Sequence, residues 1–131
     1  MAYCCTSGTT FIGEDRIREI IQDKHLGVPN TVPLTAAKAA LKTFGVSNLG
    51  LITTYKPNLT YFMQKRFESA NIKIKMVGSF YEENDEVVAR INPKSILDAA
   101  ISLGSSDLVD GIFISYTSLR ATKNIEQVEK V

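Results

Sequence analysis

Histidine and cysteine are scarce in this chain. It has one His and two Cys in 131 residues, and Cys4 and Cys5 are neighbours. Adjacent cysteines pair only with strain, so no disulfide framework is expected. A single His beside one cysteine pair argues against a structural zinc site. An excess of charge of either sign is also missing: fifteen basic and fourteen acidic residues leave a net charge of +1, with no strong block of one sign. That balance removes the electrostatic basis for a nucleic-acid partner or an anionic membrane surface. No apolar run approaches the roughly 18 residues of a membrane helix, and the start of the chain has no charged-then-apolar signal segment. The G-x-G-x-x-G, Walker A and G-x-S-x-G patterns are absent, so the nucleotide-binding and α/β-hydrolase readings lack their motifs. The expectation is a soluble protein of a reducing compartment, the cytoplasm.

What is present is enough apolar residue, 44% of the chain, to build the core of one domain or of a domain and a fragment. Its pattern alternates. A helix is expected from about Thr10 to Lys24, with Ile12, Ile17, Ile20 and Ile21 on one face and Glu14 and Arg18 paired on the other. Val28 to Pro33 is extended between two prolines. A second helix runs from about Leu34 to Phe44 and stops at Gly45, with Leu34, Ala37, Leu41 and Phe44 inward. Asn48 to Thr53 reads as a buried strand. Pro57 to Ala70 reads as a third helix, burying Leu59, Phe62, Met63 and Phe67. Ile72 to Val77 alternates apolar residues with Lys73 and Lys75, the mark of an edge strand. Asn92-Pro93 opens a fourth helix as N-cap and N1. Gly111 to Ser115 is the most apolar run and a third strand, and a short last helix starts near Asn124. Strands alternating with helices of about a dozen residues imply right-handed crossovers, hence an α/β fold with a parallel sheet and helices on both faces.

In such folds ligands bind outside the carboxyl ends of the strands. Four polar segments fall there: Cys5 to Thr10, Thr53 to Tyr55, Ser79-Phe80, and Ser115 to Arg120. The first of them organises the rest. Met1 to Cys5 is short and β-compatible, and a helical pattern follows, so the Cys5 thiol is expected beside the free N–H groups of a helix start, where thiolate is favoured. Thr6, Ser7, Thr9 and Thr10 surround it with hydroxyls. The same residues also fit a Cys that merely packs and hydroxyls that merely cap a helix.

Cys4-Cys5-Thr6-Ser7-Gly8-Thr9, with Ser115-Tyr116-Thr117-Ser118-Leu119-Arg120, resembles the aspartate/glutamate racemase superfamily, in its maleate isomerase and arylmalonate decarboxylase branch. That branch has a C-T-S-G motif after one strand and an S-C-T-x-L-R motif after another. Pro33 to Ala37, Thr53-Thr54-Tyr55 and Val88 to Ile91 resemble further segments of it, in the same order. The resemblance implies two similar lobes with the site in the cleft between them, and chemistry without metal or coenzyme. Residues 1–32 resemble the end of the first lobe. Residues 33–131 resemble a second lobe lacking its final strand. A chain of this kind is expected to be completed by a partner, in a homo-oligomer.

Carried over position by position, the resemblance makes Cys5 the nucleophile or base. Thr6 and Ser7 bind a carboxylate, Tyr55 contacts it, and Thr117 and Ser118 form the second anion cradle. Tyr116 stands where the family has its second cysteine. A phenol with a pKa near 10 replaces poorly a thiol near 8.5, so two-base racemisation is disfavoured. One-cysteine chemistry on a small carboxylate or dicarboxylate is retained, with Tyr116 as a proton donor or as mere packing. A carboxylate-binding domain without turnover is the alternative.

Overall fold

The computed structural model describes residues 1–130; Val131, which closes the expected second lobe, lies outside the described residues. In chain order the elements are α1 (Thr6–Ile12), α2 (Glu14–Lys24), α3 (Pro33–Thr43), β1 (Asn48–Thr53), α4 (Pro57–Glu68), β2 (Lys73–Ser79), α5 (Asp85–Val88), α6 (Pro93–Gly104), β3 (Gly111–Ile114) and α7 (Ile125–Val128), the last preceded by a 3₁₀ turn at Ala121–Asn124.

The three strands form one parallel sheet in the order β2-β1-β3. β1 is central and buried on both sides, which is why its sequence is almost continuously apolar. Its side chains alternate faces. Leu49 and Leu51 enter a core with Leu34 and Leu41 of α3 and Leu59, Met63 and Phe67 of α4. Ile52 enters a second core with Ala100 and Leu103 of α6. Helices therefore cover both faces, as the α/β reading requires. β2 lies at one edge, with Lys73 and Lys75 exposed, and lysines on an edge discourage pairing with further strands. A Cβ at Gly111 would approach Val46 at 2.9 Å, so β3 starts where only glycine fits.

The expected helix over Thr10 to Lys24 is two helices. Gly13 breaks it with φ 94°, ending α1 and preceding α2, and Glu14 and Asp15 occupy the first turn of α2 where acidic residues suit the helix dipole. The break turns the two helices apart, so Ile17 is buried while Ile12 and Ile20 stay about half exposed. Glu14 does not pair with Arg18. It binds Lys38 and Thr35 of α3 instead, fastening α2 to the sheet layer. Phe44 and Phe62, expected inward, are 81% and 48% exposed. The Met1 to Cys5 segment makes a single parallel bridge, Ala2 with Thr31, rather than a strand. Among the described residues no helix is long and apolar enough to cross a membrane.

Candidate functional site

Cys5 sits at the N-cap of α1 with extended backbone, φ −115° and ψ 110°. Its sulfur accepts the Gly8 backbone N–H at 3.3 Å and lies 3.5 Å from the Ser7 hydroxyl. The Tyr3 hydroxyl stands beside it as well. These donors stabilise charge on sulfur. The Ser7 hydroxyl leads and the Gly8 N–H follows, and together they outweigh partial burial and hold the thiol below its ordinary pKa. Tyr3 and Cys5 close over Gly8: a Cβ there would fall 2.3 Å from the Tyr3 hydroxyl and 3.1 Å from the Cys5 sulfur. Arg66 of α4 donates to the Thr10 carbonyl and ties the far end of α1 to the sheet layer.

A cavity of about 180 Å³ opens in front of this thiol. Cys4, Cys5, Thr6 and Ser7 line it together with Tyr55, Asp85, Tyr116 and Thr117. Tyr55 follows β1, and Tyr116 and Thr117 follow β3, so the cavity lies at the carboxyl ends of the two neighbouring strands, as parallel-sheet geometry requires. A larger hollow of about 550 Å³ lies elsewhere, at Lys42, Gly45 and Asn71, and holds none of the site residues singled out from the sequence.

The two tyrosines pack on each other with centroids 5.3 Å apart. Tyr55 is 5% exposed. Burial raises its pKa, with the Ser115 and Thr6 hydroxyls nearby acting in the other direction. Tyr116 holds φ 147°, a region unusual for a residue with a Cβ. Its hydroxyl donates to the Asp85 carboxylate at 2.5 Å. Burial and then this bond drive its pKa far above the ordinary tyrosine value. Tyr116 is thus a firmly neutral phenol whose one proton is engaged by Asp85.

The chain superposes on solved structures of enzymes. The maleate isomerase Iso from Pseudomonas putida S16 is 18% identical with TM-score 0.85, over 99% of this chain and 55% of its own. The Nocardia farcinica maleate cis-trans isomerase is 16% identical with TM-score 0.85, over 98% and 55%. Arylmalonate decarboxylase is 20% identical with TM-score 0.85, over 98% and 58%. This chain has the maleate isomerase and arylmalonate decarboxylase fold. It spans about half the length of those chains. No protein-family model matches it, and no curated protein matches it in sequence.

On this maleate isomerase fold six of the seven residues singled out from sequence meet around one cavity: Cys5, Thr6, Ser7, Tyr55, Tyr116 and Thr117. Ser118 lies in the turn beyond and does not line it. Thr9 and Thr10 are not donors to the site. Their hydroxyls bind the Cys5 and Thr6 carbonyls one turn back. Sequence reasoning missed Asp85 as a site residue: the Tyr81 to Glu86 run reads as a polar loop or short helix, and the structure has a short helix from Asp85. The available signal was Asn84, whose side chain caps α5 and fixes Asp85 at its first position. Among the described residues no three His, Cys, Asp or Glu side chains gather as a metal site.

Proposed function

We propose that this chain carries the thiol centre of a cysteine-dependent isomerase or decarboxylase of the aspartate/glutamate racemase superfamily, acting on a small carboxylate. One observation supports this above the others: the Cys5 sulfur, with its ionised form stabilised by Ser7 and Gly8, faces a cavity walled by hydroxyls. The family assignment is drawn from the Cys4 to Thr9 and Ser115 to Arg120 motifs together with the shared fold. Cofactor-free chemistry belongs to the same proposal.

For an unsaturated carboxylate the thiolate alone can carry a cis–trans exchange. The Cys5 sulfur adds to the alkene carbon remote from the carboxylate, and the π pair moves onto the carbon beside that carboxylate. The former double bond turns. The pair re-forms the double bond and expels the thiolate. No proton is gained or lost, so the cycle does not call on Tyr116. Thr6, Tyr55 and Thr117 supply the hydroxyls that would hold the carboxylate as charge builds beside it, while the Ser7 hydroxyl, also expected there from the sequence, serves the Cys5 sulfur. Two-base racemisation would need a second acid opposite Cys5, and the commitment of the Tyr116 proton to Asp85 speaks against it.

The chain spans half of its structural neighbours, and a homo-oligomer that completes the cleft is part of the proposal. The test is incubation with a panel of cis-unsaturated mono- and dicarboxylates and an arylmalonate, read by NMR, with the solution mass measured in parallel. Trans or decarboxylated product from the wild type and none from a folded Cys5→Ala variant is the expected result. Binding of a carboxylate without any product would favour the non-catalytic alternative, for which the Tyr116–Asp85 bond is the supporting observation.

A further inference from the structure

One wall of the Cys5 cavity carries a carboxylate and no cation. Asp85 lines it, and no lysine or arginine does. The cations on the flanking segments have other partners: Lys56 binds Glu83 at 2.5 Å, Arg90 lies 3.7 Å from Glu86, and Arg120 donates to the Ile91 carbonyl at 2.9 Å. Asn84 caps α5 through the Glu86 and Val87 N–H groups and sets the Asp85 backbone at the first position of that helix. The Tyr116 hydroxyl spends its only hydrogen on Asp85. What both residues have left to offer is lone pairs.

We infer that Asp85 is a specificity-determining residue: with Tyr116 it makes an acceptor-only wall that selects a monocarboxylate whose second polar group is an N–H donor, an amide or an ammonium, and rejects a dicarboxylate. This deepens the reading of the cavity as a carboxylate site and rests on it. The Thr6 and Thr117 hydroxyls can donate to one carboxylate, the Ser7 hydrogen being held by the Cys5 sulfur. A second carboxylate on the same small molecule would then face Asp85 with no donor and no cation between them. Like charges a few ångströms apart in a partly enclosed site repel strongly. An N–H group in that place makes a charge-assisted hydrogen bond instead.

The experiment compares two saturated probes of equal size, succinate and succinamate, which differ in one carboxylate against one amide. Each is titrated as a protectant of Cys5 against iodoacetamide, a neutral reagent, in a Cys4→Ser background so that one thiol is read. Succinamate should protect at a concentration at least tenfold lower than succinate, and Asp85→Asn should bring the two within about twofold. Equal or better protection by succinate in the unaltered pocket overturns this inference and leaves the carboxylate reading standing. A ratio that survives Asp85→Asn overturns the role of Asp85. Protection by neither probe overturns the carboxylate reading and this inference with it. The comparison in the Asp85 protein decides by itself if the variant folds poorly, and Tyr116→Phe, which keeps the Asp85 charge, should retain the preference for succinamate.

Discussion

The Ser7 hydroxyl lies 3.5 Å from the Cys5 sulfur, two residues along the chain and on the opening turn of α1. It leads the interactions that lower the Cys5 pKa, ahead of the Gly8 N–H. The rate of Cys5 alkylation against pH, in a Cys4→Ser background, should therefore have its midpoint below that of a free thiol, near 8.5. Ser7→Ala should move the midpoint up toward the free value. A midpoint unchanged by Ser7→Ala would remove this hydroxyl from the activation of Cys5.

Gly8 has no room for a side chain. The Tyr3 hydroxyl would stand 2.3 Å from a Cβ there, and the Cys5 sulfur 3.1 Å. Tyr3 is the freer of the two and should be the one to move. Gly8→Ala is therefore expected to leave the fold intact, since alanine suits a helix interior better than glycine by roughly 1 kcal/mol. It should displace Tyr3 and raise the pKa of Cys5. Thermal unfolding and the alkylation profile measured on the same variant check both halves; a variant that alkylates like the parent would mean that Tyr3 contributes nothing to the thiol.

Much of this architecture is legible in the sequence because its signals are local and strong. Asn48 to Thr53 is a strand of the stated length because it is buried on both faces, and Asn92-Pro93 starts α6 because cap and N1 preferences are short-range. The break at Gly13 was hidden, since apolar spacing continues across it and the glycine acts only through a positive φ that spacing does not encode. Glu14 was misassigned for a related reason. Its i,i+4 neighbour is visible in the sequence, whereas Lys38, 24 residues away, is brought to it by the fold. Asp85 escaped notice because its meaning depends on Tyr116, 31 residues downstream.

Asp110 joins the starts of two strands. Its carboxylate accepts the Ser47 and Asn48 N–H groups at 3.1 and 2.8 Å, at the start of β1, while Asp110 itself precedes β3. Burial alone would raise its pKa, but the bonds from Asn48 and Ser47 win and lower it. A carboxyl lowered on folding stabilises the protein above its unfolded pKa, about 3.9, and that contribution is lost as pH falls through the folded value. Asp110→Asn should cost about 1 kcal/mol at pH 7, reduced from a buried charge-assisted bond by solvent screening. It should cost little near pH 2. Urea unfolding at both pH values measures the difference; an equal loss at both would assign the effect to shape rather than charge.

Tyr116 packs against Tyr55, donates a hydrogen bond to Asp85 and holds φ 147°. Such a backbone costs on the order of 1–3 kcal/mol and persists where surrounding contacts enforce it. Tyr116→Cys removes the ring and the bond to Asp85, yet keeps a titratable group on the wall opposite Cys5. A thiol near 8.5 in that place can take or give a proton at neutral pH, which the phenol cannot. The variant should therefore gain exchange of the proton beside a carboxylate, read as deuterium uptake by NMR from a carboxylate the pocket binds. Tyr116→Phe separates this gain from the loss of the ring's polar contacts, because it removes the hydroxyl without supplying an acid. Uptake in the cysteine variant alone would mean that the pocket is set for two-sided proton transfer and that one side chain holds it in check. Absence of uptake in a folded Tyr116→Cys protein would show that the wall opposite Cys5 is not aligned with the reacting carbon.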